Sequence, residues 1–96
     1  MIPRVLNKRT ATAKELAGAV YVGRPSKWGN PFVIGRDGAR EQVVARYRDW
    51  LRWSLVGLAP ILCRAARTEL RGKHLVCWCA PLPCHADVLL EIANAD

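Results

Sequence analysis

Apolar residues recur at helical spacing across residues 39–55, which is the clearest secondary-structure signal in the chain. The positions that share this face are Val43, Val44, Tyr47, Trp50, Leu51, Ser54 and Leu55. Charged residues occupy most of the other positions, so the pattern predicts an amphipathic helix with one buried face. A second helix is predicted through residue 70, because Pro60 suits a first helical turn and Gly72 suits the left-handed residue after a helix end.

Short runs rich in β-branched and aromatic residues predict the strands. They lie at residues 4–7, 19–22 and 74–79. A short extended piece is expected at residues 33–34, a further helix is predicted over residues 86–94, and the alanine-rich segment 12–18 is ambiguous. Because strands alternate with helices, we predict an α/β fold whose mostly parallel sheet has three to four strands, with about three helices.

Length and composition limit the class of protein. Ninety-six residues make room for one small domain, predicted to span residues 1–96, and a hydrophobic content of 51% argues against disorder. No apolar run approaches the roughly 18–20 residues that cross a bilayer, and the first ten residues lack the layout of a secretory signal. We therefore expect a cytoplasmic protein with no membrane partner, in which the cysteines are reduced thiols.

Charge is distributed unevenly along the sequence. All 15 Lys and Arg residues lie within residues 1–73, whereas residues 74–96 contain acidic residues and no Lys or Arg. Clustered positive charge is typical of proteins that bind nucleic acid or phosphate-bearing molecules. Small basic proteins without such a partner are also common. The charge therefore suggests a class of partner but does not identify a reaction.

Residues 77–87, C-W-C-A-P-L-P-C-H-A-D, place three thiols and an imidazole within nine positions. Cys77 and Cys79 would point to the same side of an extended strand. Cys84 and His85 fall at the start of the following helix, where free N–H groups favour a thiolate. We therefore expect the pKa of Cys84 to lie below the usual cysteine value of about 8.5.

Three interpretations of this segment stay open. A tetrahedral zinc site has suitable ligand types here, although the spacings are tighter than in common zinc motifs. Its ligands would be Cys77, Cys79, Cys84 and His85. Alternatively, Cys84 or Asp87 is a catalytic nucleophile or base and His85 its proton-transfer partner. In the third interpretation the cysteines are buried structural residues, His85 caps a helix, and Asp87 only complements the helix dipole.

Residues 23–32, G-R-P-S-K-W-G-N-P-F, form a loop with the composition of a ligand-binding segment. Its glycines let backbone approach a ligand, its cations suit phosphate, its tryptophan offers a face to a base or sugar ring, and its asparagine would orient the ligand. The candidate ligand-binding residues are Gly23, Arg24, Lys27, Trp28, Gly29 and Asn30. The alternative is a packed structural turn with Trp28 and Phe32 in the core.

Two longer segments contain these motifs. They are residues 21–35, Y-V-G-R-P-S-K-W-G-N-P-F-V-I-G, and residues 70–92, L-R-G-K-H-L-V-C-W-C-A-P-L-P-C-H-A-D-V-L-L-E-I. Together they resemble a family of small bacterial and phage domains of unknown function. The resemblance implies a compact Rossmann-like fold and one pocket that unites both motifs, and it implies no established reaction. Its members commonly have Gly where this chain has Ala86, which bears on how closely a ligand approaches the helix start.

These observations favour one hypothesis over two others. In the leading one, a pocket between residues 23–32 and 77–87 binds a phosphate-bearing small molecule, such as a nucleotide. The first alternative is a zinc-stabilised module that binds nucleic acid through the arginine-rich helix and the basic N-terminal segment. The second is a phage-type inhibitor that acts by protein contact alone.

Overall fold

A computed structural model describes residues 2–95, and this part of the chain contains three short strands and four helices. The strands are β1 (Val5–Asn7), β2 (Val20–Tyr21) and β3 (Leu75–Cys77). The helices are α1 (Ala13–Leu16), α2 (Arg40–Trp53), α3 (Leu58–Glu69) and α4 (His85–Asn94). The prediction of a small α/β fold with a mostly parallel sheet is confirmed.

The sheet has the strand order β1-β3-β2, with β3 in the centre. Both outer strands run parallel to β3, and Leu75 lies opposite Val5 on one side and Val20 on the other. All three residues of β3 are buried. Because the strands are parallel, the chain leaves β2 and β3 at the same edge of the sheet, and this brings the two motif segments together.

Helices α2, α3 and α4 pack against one another, and α4 also contacts β1 and β3. The predicted apolar face of α2 supplies part of the core. Its buried members are Val43, Val44, Tyr47 and Leu51. Within residues 2–95, the helices are all too short or too polar to cross a lipid bilayer.

The apolar pattern of α2 continues beyond the actual end of the helix. The helix was predicted through residue 55, yet it ends at Trp53, and Ser54 has extended backbone angles. Leu55 is 89% exposed and Trp53 is 73% exposed. Gly57, with φ of +75°, then turns the chain into α3.

Two strand predictions need correction. Residues 33–34 are not extended but begin a turn, because the Asp37 carboxylate accepts a hydrogen bond from the Val33 N–H (2.8 Å) and the Asp37 N–H donates to the Val33 carbonyl (2.8 Å). The strand predicted over residues 74–79 spans only Leu75–Cys77. The strand ends at Cys77 because the pairing with the adjacent strands ends there. On the β1 side, the last hydrogen bond is donated by the Lys8 N–H to the Cys77 carbonyl (2.9 Å).

The alanine-rich segment 12–18, for which the sequence gives an ambiguous prediction, contains the single turn of α1 (Ala13–Leu16). Thr12 Oγ1 accepts a hydrogen bond from the Glu15 N–H (3.1 Å), and the Glu15 carboxylate accepts one from the Thr12 N–H (2.8 Å). This reciprocal pair is a capping box, and the spacing T-x-x-E is visible in the sequence.

Candidate ligand cavity and cysteine cluster

A cavity of about 330 Å³ opens at the carboxyl edge of β2 and β3. This volume lies within the range of small-molecule sites in proteins, roughly 300–1,000 Å³. The loop after β2 lines it with Gly23, Arg24 and Asn30, and the second motif lines it with Cys77, Cys79, Cys84 and His85. The expected meeting of the two motifs around one cavity is therefore present.

Arg24 lies folded back over its own loop. Its Nε donates to the Asn30 carbonyl (3.1 Å) and its Nη2 to the Phe32 carbonyl (3.4 Å). Gly29 does not line the cavity, but a Cβ added there would come within 2.9 Å of Arg24 Cγ. Gly23 is buried, and a Cβ there would overlap the side chain of Tyr21. The two glycines thus leave room for the neighbouring Arg24 and Tyr21.

Asn30 lines the cavity and also ties the loop to α2. Its side chain is buried, with 7% of the residue exposed. Nδ2 donates to the Val43 carbonyl (3.2 Å), and Oδ1 accepts from the Phe32 N–H (2.9 Å). Both ends of the amide are therefore engaged within the protein.

Lys27 and Trp28 lie outside the cavity lining. Lys27 Nζ forms an ion pair with the Glu69 carboxylate (2.8 Å) and sits 4.8 Å from the centre of the Trp28 ring. Trp28 is 4% exposed and belongs to the hydrophobic core, and its carbonyl accepts a hydrogen bond from the Tyr47 hydroxyl (2.7 Å). Burial of the indole leaves no free face on which a base could stack.

Three of the cysteines form a cluster, which we call the thiol cluster: Cys77, Cys79 and Cys84. Their Sγ atoms all lie within 4.8 Å of one another, and Cys77 and Cys84 are 3.1 Å apart. Cys77 and Cys84 are buried and Cys79 is half-buried. Thiols this close together could hold a metal ion. Cys63 lies on α3, outside the cluster.

The contact between Cys77 and Cys84 sets the acidity of both thiols. The hydrogen bond between the two thiols lowers the pKa of Cys77, burial opposes this shift, and the Cys79 N–H adds to it. The same hydrogen bond, together with burial, raises the pKa of Cys84. The expectation of a lowered pKa at Cys84 was therefore wrong. Its Sγ does accept the Ala86 N–H at the helix start (3.4 Å), but the contact with Cys77 dominates.

His85 is the first residue of α4, and its ring is largely engaged in packing. Nε2 lies 2.7 Å from the Val22 carbonyl oxygen, and the ring meets Tyr47 edge to face at 5.4 Å between centroids. Burial lowers the pKa of His85, and the bond to Val22 acts in the opposite direction. Its ring nitrogens do not belong to the thiol cluster.

Asp87 caps α4 and does not line the cavity. Its Oδ2 accepts a hydrogen bond from the Cys84 N–H (3.0 Å). A carboxylate in the first helical turn is also favoured by the helix dipole. These contacts match the structural interpretation of Asp87, and the proposed catalytic role of this residue stays a prediction.

The structure adds cavity residues that were not among the candidate ligand-binding residues. Arg40, in the first turn of α2, lines the cavity and donates through Nη1 to the Pro83 carbonyl (3.3 Å). Three aromatic side chains complete the wall: Tyr21, Phe32 and Trp78. Trp78 Nε1 donates to the Tyr21 hydroxyl (3.0 Å), and 49% of Trp78 is exposed. The sequence does show that Trp78 lies inside the second motif, but its exposure and its contact with Tyr21 are visible only in the structure.

Comparison with known proteins gives the family. The family model described as Domain of unknown function (DUF4326) matches residues 5–95. The chain belongs to this family. A relative of this chain is the "Uncharacterized 12.4 kDa protein in nrdA-td intergenic region" of Enterobacteria phage T4, which is 35% identical over 77 residues, or 78% of this chain and 67% of the phage protein. The resemblance to small bacterial and phage domains is thus confirmed.

No solved structure matches this member of DUF4326. The α/β class therefore rests on the strands and helices described above, and the more specific Rossmann-like architecture stays a prediction. The observed sheet contains three strands in the order β1-β3-β2.

Proposed function

We propose that this protein binds a small phosphate-bearing, nucleotide-like molecule in the cavity. The observation that carries the proposal is that Arg24 and Arg40, from two different elements, line the same cavity as three aromatic rings. Guanidinium groups bind phosphate through paired, charge-assisted hydrogen bonds. Aromatic side chains provide surfaces on which a flat base stacks.

The charge of these two arginines is not neutralised by neighbouring carboxylates. Neither Arg24 nor Arg40 forms an ion pair within residues 2–95, whereas Lys27 is paired with Glu69. Their polar contacts are to main-chain carbonyls: those of Asn30 and Phe32 for Arg24, and that of Pro83 for Arg40. Such contacts orient a guanidinium and leave its positive charge available to an anion.

The proposal concerns binding, and it assigns no reaction to Cys84, His85 or Asp87. The Asp87 carboxylate accepts the helix-capping N–H, and His85 Nε2 bonds to a main-chain carbonyl. The pKa of Cys84 is raised, which disfavours the thiolate that a nucleophile needs. These contacts support structural roles for the three side chains.

Calorimetric titration with adenosine monophosphate, at low salt, tests the proposal. Arg40→Ala is the test variant, and Arg64→Ala is its matched control, because Arg64 is an exposed arginine on α3 outside the cavity. Loss of a charged hydrogen bond should weaken binding by about tenfold or more in Arg40→Ala, and Arg64→Ala should bind like the wild type. Absence of binding, or equal losses in both variants, would refute the proposal.

We also propose that the thiol cluster holds a zinc ion. The observation in favour is the separation of the three Sγ atoms, all within 4.8 Å of one another. Zinc–sulfur bonds of about 2.3 Å in tetrahedral geometry place neighbouring sulfurs about 3.8 Å apart, so small adjustments suffice. The ligand set differs from the one that the sequence suggested, because neither ring nitrogen of His85 lies within the group of three thiols.

The zinc content of the purified protein tests this second proposal. Elemental analysis should find about one zinc ion per chain after growth with added zinc. Cys79→Ser should lose it, since serine is a poor zinc ligand. Cys63→Ser is the matched control, because Cys63 is also half-buried but lies outside the cluster, and it should retain the ion. Equal zinc content in the two variants would contradict the assignment.

A further inference from the structure

We infer that the metal ion in the thiol cluster keeps one coordination position open to the cavity, and that a neutral ring nitrogen of the bound nucleotide-like molecule fills it. This inference rests on the proposed function. It adds a statement about the ligand's chemistry: the molecule carries a heterocyclic nitrogen donor at one end and a phosphate at the other.

The number of protein donors leads to the open position. The cluster contains Cys77, Cys79 and Cys84, and no His, Asp or Glu side chain described in residues 2–95 joins it. Zinc in proteins is commonly four-coordinate, and sites with three protein ligands keep the fourth position for water or substrate. All three cysteines belong to the cavity wall, so the remaining position is accessible from the cavity.

Charge decides which end of the ligand meets the metal. A divalent ion bound by three thiolates has a net negative charge, which repels a phosphate in a partly buried site. Arg24 and Arg40 lie in the wall of the same cavity and attract it. A neutral aromatic nitrogen carries no such penalty, and nitrogen of this type is a common zinc ligand. The aromatic wall, which includes Tyr21 and Trp78, is suited to the ring that carries this nitrogen.

Cobalt(II) in place of zinc provides the test, because its visible absorption bands report changes in the coordination shell. Three probes separate the two ends of the ligand: imidazole supplies only the nitrogen donor, ribose 5-phosphate only the phosphate, and adenosine monophosphate both. We expect imidazole and adenosine monophosphate to shift the cobalt bands. Ribose 5-phosphate should bind, with an affinity that depends on Arg40, and leave the bands unchanged.

A second measurement uses the metal-free protein. Removing the metal should weaken adenosine monophosphate binding by about tenfold or more and leave ribose 5-phosphate binding unchanged, because only the former is bound through the metal. Cys79→Ser should reproduce the metal-free result. Cys63→Ser should behave like the wild type, and circular dichroism of both variants checks that they are folded.

The outcomes distinguish failure of this inference from failure of the proposed function. Arg40-dependent binding of adenosine monophosphate without any change in the cobalt bands would overturn the inference and leave the proposed function standing. Bands that do not respond to imidazole would overturn it as well, because they indicate a closed shell. If neither phosphate compound binds, the proposed function fails and the inference falls with it.

Discussion

His85 Nε2 lies 2.7 Å from the main-chain oxygen of Val22 and thereby joins the two motif segments directly. Val22 immediately precedes the loop of residues 23–32, and His85 opens α4. Because a carbonyl oxygen only accepts hydrogen bonds, Nε2 must carry the proton, which fixes the tautomer of the neutral ring. The His85 side chain thus links the two motif segments that form the wall of the cavity.

Replacing His85 should therefore destabilise the protein. We expect His85→Ala to lower the free energy of unfolding by about 2 kcal/mol, because it removes a hydrogen bond and leaves a gap beside Tyr47. His74→Ala is the control, since His74 Nδ1 accepts a hydrogen bond from the Arg4 N–H at an exposed site and should lose less than about 1 kcal/mol. Equal losses in urea unfolding would contradict the linking role.

The sequence predicted the helices better than the strands, for a physical reason. The face of α2 repeats over four turns, so the periodicity alone identifies it. The strands are two or three residues long, and their ends depend on where the neighbouring strand stops, as β3 shows at Cys77. Strands of two or three residues contain too few positions to show an alternation of apolar and polar residues.

The candidate site was likewise predictable where it depends on the order of strands and loops along the chain, and not where it depends on how distant side chains pack. The sequence indicated that the two motif loops would meet, because loops after parallel strands leave the sheet at one edge. It did not indicate Arg40, which reaches the cavity only through the packing of α2. The acidity of Cys77 also depends on a 3.1 Å contact with Cys84, seven residues away, that no spacing rule specifies.

Asn30 should contribute to stability through both ends of its amide. Asn30→Ala removes the bonds to Val43 and Phe32 and leaves the Phe32 N–H without its partner, so we expect a loss of about 1–3 kcal/mol. Asn30→Asp keeps an acceptor for Phe32 but cannot donate to Val43 when ionised, and it adds a buried charge. Urea unfolding at neutral pH should find both variants destabilised, and wild-type stability in either would contradict this account.

Tyr47 should make the stability depend on alkaline pH. Burial raises the pKa of Tyr47 above its usual value of 10.0. As the pH rises past 10, the tyrosine of the unfolded chain ionises while the buried one stays neutral, so its contribution to folding is lost by up to about 1.4 kcal/mol per pH unit. Below pH 10 both states are neutral and this contribution is constant.

Tyr47→Phe isolates that effect. At neutral pH we expect the variant to be about 1 kcal/mol less stable, because the Trp28 carbonyl loses its 2.7 Å hydrogen bond. Its stability should then fall less steeply than that of the wild type above pH 10, so the gap between the two proteins narrows or reverses by pH 11. Parallel curves in urea unfolding across this pH range would argue against a buried, neutral Tyr47.

Gly29 should influence ligand binding through Arg24. The added methyl group of Gly29→Ala would lie 2.9 Å from Arg24 Cγ and 3.3 Å from the Ser26 carbonyl oxygen, so both the arginine and the loop backbone must shift. We expect adenosine monophosphate affinity to fall by roughly threefold to tenfold, with a loss of about 1–2 kcal/mol in unfolding free energy from the crowded contact. Lys27→Ala is a control within the same loop, because its exposed ion pair lies outside the cavity, and it should bind normally.

Cysteine alkylation should report the thiol cluster without any ligand. In the metal-free protein we expect Cys79 to react faster than Cys77 and Cys84, because it is half-buried while the other two are buried. The lowered pKa of Cys77 favours its thiolate, but 1% exposure keeps the reagent away from it. Added zinc should slow alkylation of Cys79 and leave Cys63 unchanged, and a chelator should reverse this. Mass spectrometry of the labelled peptides measures each rate separately. Fastest labelling at Cys84 would contradict its burial and its raised pKa, and a Cys79 rate that does not change with zinc would remove the thiol cluster as a metal site.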